Sequence, residues 1–220
     1  MKKIKWIFNA ATAIALVTVL AACGKHSAQT GEKLSIQESQ PDTSATVNGN
    51  QTDQGPDREL QTQSDDVMVI YFSATGTTKN VAEKIAELTG AGLYEIIPEI
   101  PYTNADLDYN DDQSRTSVEM SDPDSRPNIG SDSIDFEGCS TIYLGYPIWW
   151  GEAPRIMSTF VETYDFDGIT VIPFCTSGSS GIGGSGSHIA ELAGSGNWLP
   201  GQRFDGDVSE EELNEWINGL

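Results

Sequence analysis

Val67-Met68-Val69-Ile70-Tyr71-Phe72-Ser73-Ala74-Thr75-Gly76-Thr77-Thr78 is the stretch on which the fold turns. Its first six residues are continuously apolar and rich in β-branched side chains, the pattern of a strand buried on both faces. From Thr78 to Leu88, the residues Val81, Ala82, Ile85 and Leu88 recur at helical spacing, and Gly90 and Gly92 stop the run. A buried strand, a hydroxyl-rich turn and a helix, in that order, make one arm of a parallel α/β sheet.

Outward from that unit the alternation continues. Leu93 to Ile97 and Thr141 to Tyr146 read as the second and third strands, and Thr170 to Cys175 as the fourth. Ala153 to Tyr164 reads as a helix with Ile156, Met157, Phe160 and Val161 on one face. Ser187 to Ala193 and Ser209 to Asn218 read as further helices. A last strand near Trp198 to Phe204, broken by Pro200-Gly201, belongs at a sheet edge. The sequence thus predicts an α/β domain whose parallel sheet is covered on both faces. Between the second and third strands, Pro98 to Gly138 is long and acidic. Some helix is expected around Ala105 to Met120. Arg115 and Arg126 are read there as pins for acidic neighbours rather than as substrate ligands.

The chain has 220 residues, with 12 Lys+Arg against 33 Asp+Glu and a formal net charge of −21. That balance argues against direct nucleic-acid binding, which needs cations to neutralise phosphates, and against electrostatic attraction to an anionic membrane. Three cysteines are too few for a disulfide-built scaffold. Met1 to Lys5 is a short basic segment, Trp6 to Ala22 is uncharged and mostly apolar, and the run ends in Leu20-Ala21-Ala22-Cys23. This is a signal-peptide pattern, and its end resembles a bacterial lipobox. The resemblance implies cleavage after residues 1–22 and a diacylglycerol on the sulfur of Cys23; the other reading is an ordinary N-terminal anchor with an incidental cysteine. Gly24 to Asp65 is polar and acidic, without an aromatic residue and without a sustained period. Such a segment buries too little surface to offset its ordering entropy, so residues 23–65 are expected to be a lipidated cysteine and a disordered tether of roughly 35 Å. The domain, residues 66–220, would then hang from the extracytoplasmic face of a bacterial membrane through the lipid alone.

Three loops carry the candidate chemistry. The first is Ser73-Ala74-Thr75-Gly76-Thr77-Thr78, at the carboxyl end of a strand, where ligands bind in parallel sheets. Unpaired amides at the helix start and four hydroxyls make an anion site. An ordinary Ser/Thr helix cap fits the same residues. Without Gly-Lys-Ser/Thr it is not a nucleoside-triphosphate loop, and it suits one phosphate monoester. The second is Gly145-Tyr146-Pro147-Ile148-Trp149-Trp150-Gly151, whose tryptophans offer π-faces to an aromatic ligand or else pack the core. The third is Thr176 to Gly186, whose glycines admit a close ring edge or else mark a flexible linker. Within it, Gly181-x-Gly183-x-x-Gly186 spells a dinucleotide fingerprint. It is discounted because it starts well beyond the strand tip.

Together, in this order and spacing, the three loops resemble those of the flavodoxin family over residues 66–220. The resemblance implies a three-layer sandwich with five parallel strands in the order 2-1-3-4-5, and noncovalently bound FMN. It implies that Ser73, Ala74, Thr75, Gly76, Thr77 and Thr78 hold the phosphate. Trp149 would stack on the isoalloxazine, with Trp150 in the same loop and Pro147, Ile148 and Gly151 along the ring edge. Thr176, Ser177, Gly178 and Ser179, with Gly183, would meet the pyrimidine side through backbone groups. Residues 176–187 contain no aromatic, so one flavin face is expected to be open to a hydride donor or a quinone-like acceptor. No residue stands out as a catalytic acid or base. The function expected is that of an FMN redox protein, tethered to the membrane, with donor and acceptor unidentified. The alternatives are a flavin-free interaction module of the same fold and an NAD(P)H- or quinone-type oxidoreductase. Cys139 and Cys175, at opposite ends of neighbouring strands, are expected to stay unpaired.

Overall fold

The structure, a computed structural model, describes residues 64–220. The signal segment, Cys23 and the tether before Ser64 lie outside the described residues. Eleven elements follow in chain order: β1 (Ser64–Tyr71), α1 (Thr77–Thr89), β2 (Ala91–Glu95), α2 (Arg115–Ser121), β3 (Thr141–Pro147), α3 (Arg155–Thr163), β4 (Thr170–Thr176), α4 (Ser185–Ala193), β5 (Asn197–Trp198), β6 (Gln202–Phe204) and α5 (Glu210–Asn218). β1 starts two residues inside the segment assigned to the tether. Backbone pairing of Ser64 with Ala91 extends the ladder past the apolar run that marked the strand.

The sheet runs β2-β1-β3-β4, every neighbour parallel, and β5 and β6 both pair with β4 at the edge. This is the 2-1-3-4-5 order, with the fifth strand in two pieces. Pro200-Gly201 interrupts it, as a residue lacking an amide must.

Side chains alternate along each strand, so the sheet supports two cores. Val69, Tyr71, Tyr143, Ile172 and Phe174 face α1 and α5, where Val81, Ile85 and Leu213 meet them. Ile70, Phe72, Ile142, Leu144 and Val171 face α3 and α4, where Ile156, Phe160, Val161 and Ile189 meet them. Burial on both sides explains why β1 reads as a continuous apolar run. Each such side chain contributes roughly 1.5–3 kcal/mol on leaving water.

The acidic stretch holds less helix than expected: only Arg115–Ser121 forms one. Before it, carboxylates take the amides that a helix would need. Thr103 donates its amide to Asp106 Oδ2 (2.8 Å), Asn110 to Asp108 Oδ1 (2.9 Å) and Gln113 to Asp111 Oδ1 (2.9 Å). Such local bonds favour turns over helix. Both expected pins are present, with Arg115 Nε on Glu119 Oε1 and Arg126 on both oxygens of Glu162, all at 2.7 Å. Arg126–Glu162 ties the stretch to α3, as do Thr159 Oγ1 to the Pro127 carbonyl (2.9 Å) and Arg155 Nη2 to the Met120 carbonyl (3.1 Å).

Candidate functional site

The three loops meet at the carboxyl ends of β1, β3 and β4. At the first, Gly76 is the N-cap of α1 with φ 86, and no side chain caps the helix. An ordinary Ser/Thr cap is therefore absent, and the first-turn amides keep their donors and their share of the helix dipole. Gly76 is needed for its left-handed backbone, since nothing lies within 4 Å of where a Cβ would sit. The hydroxyl of Ser73 is buried and has no partner among the described residues, which leaves a donor aimed at nothing in the protein. Thr75 and Thr77 are exposed, their hydroxyls 3.4 Å apart. Thr78 differs: its hydroxyl is buried and bonds Thr176 Oγ1 at 2.8 Å, locking the start of α1 to the end of β4. Ala74 packs on the core.

At the second loop, Trp149 and Glu152 exchange both backbone bonds, each 2.9 Å. Trp150 and Gly151 between them have φ 50 and 83, both left-handed as in a type I′ turn. Trp150 is the non-glycine residue with positive φ among the described residues, and it is half exposed. A bulky side chain in that conformation is strained. Trp149 is half-buried, edge-to-face against Phe72 (5.6 Å) and Tyr102 (5.2 Å). The second loop therefore holds one anchored ring and one free ring. Tyr102 in turn lies under Arg115, 4.0 Å from ring to guanidinium carbon, and donates to Glu119 at 2.7 Å. Burial, and then that bond, push its hydroxyl well above the ordinary tyrosine range. It stays a protonated donor.

At the third loop, Ile148 donates its amide to the Thr176 carbonyl (3.0 Å), and Arg203 Nη2 donates to the Ser177 carbonyl (2.6 Å). Those two carbonyls are engaged within the protein. The amides of Ser177 and Gly178 have no protein partner among the described residues. Thr75, Thr77, Pro147, Ile148, Trp149, Thr176, Ser177 and Gly178 border one cavity of about 370 Å³. Ser179 and Gly183 lie off its lining, although the Cβ position of Gly183 is 4.0 Å from the Gly151 carbonyl, closing the second loop onto the third. The fingerprint glycines surround the start of α4, nine residues past the end of β4, rather than a strand tip. Cys139 and Cys175 are free thiols; burial pushes Cys175 up to about 12, which keeps it unreactive.

Two parts of the site escaped the sequence reading. Asp205-Gly206-Asp207, after β6, completes the cavity wall. A Cβ on Gly206 would sit 2.5 Å from Thr77 Cγ2, so a side chain there would have to push the Thr77 methyl aside. The signal was positional, since this turn follows a strand at the same edge of the sheet. Asp205 also pairs with Arg203, the anchor of the third loop. The second part is a cleft of about 410 Å³, to which the acidic stretch adds Leu107, Tyr109 and Thr116. No periodicity in the stretch pointed to it.

The residues fit a flavin mononucleotide. Free amides at α1 and the orphaned Ser73 hydroxyl suit a phosphate, an anchored tryptophan borders the cavity, and free amides at Ser177 and Gly178 suit carbonyl acceptors.

The family model described as flavodoxin matches residues 66–220. No curated protein matches the chain. Among solved structures, a "putative flavoprotein" from Bacteroides uniformis ATCC 8492 is 46% identical with a TM-score of 0.67, covering 70% of this chain and 97% of that one. One from Bacteroides eggerthii DSM 20697 is 43% identical at the same TM-score and coverage. A flavoprotein of Lactobacillus acidophilus NCFM, solved in complex with FMN, is 24% identical with a TM-score of 0.52 over 69% of this chain and 98% of that one, a likeness of fold.

Proposed function

This chain belongs to the flavodoxin family, and we propose that it binds FMN and serves as a redox protein held to a bacterial membrane by a lipid on Cys23. The observation that carries the cofactor reading is the single cavity bordered at once by the uncapped start of α1, the Trp149 turn and the end of β4. When bound, FMN supplies the electron chemistry. The chain's own residues bind and orient it. First-turn amides of α1 and the hydroxyls of Ser73, Thr75 and Thr77 receive the phosphate. The Thr78 hydroxyl takes no direct part; its bond to Thr176 holds two of the loops in register. Trp149, fixed by Phe72 and Tyr102, excludes water from one side of the ring. The amides of Ser177 and Gly178 donate to the pyrimidine carbonyls, and Arg203 holds that loop in place.

Electrostatics set the direction in which the protein tunes the flavin. Residues 66–220 carry six Lys+Arg against 26 Asp+Glu. Adding electrons to an anionic cofactor in that field is disfavoured, so the bound flavin is expected to have a lower reduction potential than free FMN. Tethering rests on the basic start, apolar run and Leu20-Ala21-Ala22-Cys23 of the sequence.

The test is the visible absorbance spectrum of the full chain, purified and then titrated with FMN. Flavin bands that are released on denaturation, and weakened by combined Thr75→Ala and Thr77→Ala, are the expected result. A protein that stays colourless at high micromolar FMN would overturn the cofactor reading and favour an interaction module. Incorporation of labelled lipid by the wild type but not by Cys23→Ser tests the anchor.

A further inference from the structure

The Trp149 turn borders two cavities, and only one is accounted for by the flavin. The second is the cleft of about 410 Å³ bordered by Leu107, Tyr109, Ile148, Trp149, Trp150 and Thr75. It shares Thr75, Ile148 and Trp149 with the flavin cavity, so a ligand there stands against the same anchored ring. We infer that this cleft binds a neutral, planar molecule of one or two fused rings, a small aromatic redox partner held beside the flavin cavity rather than in it. This inference rests on the proposed FMN reading only for the word partner; the cleft itself is independent of it.

Shape argues for a flat ring. Tyr109 is 74% exposed and Trp150 50% exposed, and neither is buried in the two cores. Both nevertheless border the cleft, together with aliphatic Leu107 and Ile148. The Trp150 ring stands there at the cost of a left-handed backbone, φ 50, which glycine or asparagine would adopt more easily. Strain in a residue that packs no core points to a role in binding. Aromatic faces prefer an offset or edge-on aromatic partner.

Charge argues for neutrality. Among the described residues no Lys, Arg, Asp or Glu borders the cleft. Arg115, next in sequence to the lining residue Thr116, is already committed. Its Nε bonds Glu119 and its Nη1 bonds the Ile100 carbonyl, both at 2.7 Å, while its face covers Tyr102. A carboxylate or a dinucleotide would therefore enter a strongly acidic domain without a counter-charge. Polar recognition is sparse. Thr116 is buried and donates its hydroxyl to the Asp106 carbonyl at 2.6 Å.

The experiment uses the full chain, FMN-free and FMN-loaded, with menadione as the neutral probe and 1,4-naphthoquinone-2-sulfonate and NADH as anionic probes. Tryptophan indole N–H and tyrosine ring resonances report binding by NMR, without turnover. The expected result is that menadione shifts the Trp150 and Tyr109 signals in both forms. Tyr109→Ala and Leu107→Ala weaken that binding about fivefold or more while FMN affinity is unchanged. The sulfonated analogue and NADH bind at least as much more weakly at low salt. Displacement of menadione by FMN would overturn the inference by making the cleft part of the flavin site. Equal binding of the anions would overturn the charge argument, and no shift at all would overturn the site. If FMN fails to bind while menadione still shifts Tyr109, the proposed function falls and this site stands.

Discussion

The two cavities that share Trp149 are made of opposite materials. On one side stand backbone amides, hydroxyls and the ends of three strands, drawn together by the sheet. On the other stand two exposed rings and two aliphatic side chains, half of them lent by an acidic stretch that follows no period. On the first side the loops leave the ends of β1, β3 and β4, and the Thr78–Thr176 bond ties two of them together. The second is held by contacts between side chains, Arg126 with Glu162 and Tyr102 with Trp149, on a segment with one short helix. The difference teaches that a fold supplies the polar half of such a site by geometry. The apolar half comes from a stretch that the sheet does not hold in place.

The largest effect should come from the polar side. Gly76→Val forces a β-branched residue to φ 86 and is expected to destabilise the domain by about 1–3 kcal/mol. It should also abolish FMN binding, read by thermal unfolding and flavin titration. An unchanged FMN affinity would show that the α1 amides do not bind phosphate. Next, Thr78→Val strands the Thr176 hydroxyl in the core and should cost about 1–3 kcal/mol, whereas adding Thr176→Val should recover most of that loss. A double variant no better than the single one would mean that the pair is not a closed unit.

The turn that borders both cavities separates stability from binding. Trp150→Asn relieves the left-handed strain and should raise stability by roughly 0.5–1 kcal/mol, while eliminating the menadione site. A destabilised variant would show that the ring packs more than its exposure implies. Asp207→Asn removes a carboxylate from the flavin cavity wall. It should tighten FMN about threefold at low ionic strength, an effect that fades as salt screens the charge. Equal affinities across a salt series would place the phosphate away from this turn.

The smallest effect concerns the apolar side. The bidentate bond to Arg126 holds the Glu162 carboxyl below its usual value. A depressed carboxylate contributes stability above its unfolded pKa and loses it as pH falls through the lowered one. The acid limb of a stability–pH curve should therefore be shallower for Glu162→Gln. The difference at neutral pH should be under about 1 kcal/mol, since the pair is partly solvated. Identical acid limbs would mean that the stretch is held by the Thr159 and Arg155 contacts instead.

Legibility followed the source of each signal. β1, β3 and β4 were read correctly because burial on both faces writes an uninterrupted apolar run, and α1 and α3 because one buried stripe writes a helical period. The split of the last strand was visible at Pro200. The Ala105 to Met120 helix was overestimated because Asp106, Asp108 and Asp111 take nearby amides, a competition that composition does not reveal. Of the site, the three loops were legible as strand ends. Which tryptophan is anchored, and that Thr78 faces Thr176 instead of a ligand, were not. Each depends on a partner 98 residues away in one case and 47 in the other.

By itself the sequence determined the layered α/β sheet, the strand order through its family resemblance, the loops at its carboxyl edge and the acidic balance of the domain. These follow from local hydrophobic periodicity, turn chemistry and charge, which are written in neighbouring residues. The tertiary structure alone decided that Asp205 to Asp207 close the flavin cavity, that Trp149 is fixed while Trp150 is strained and free, and that the acidic stretch builds a second cleft. Those outcomes depend on side chains distant in sequence packing against one another, and no local pattern encodes which of them will meet.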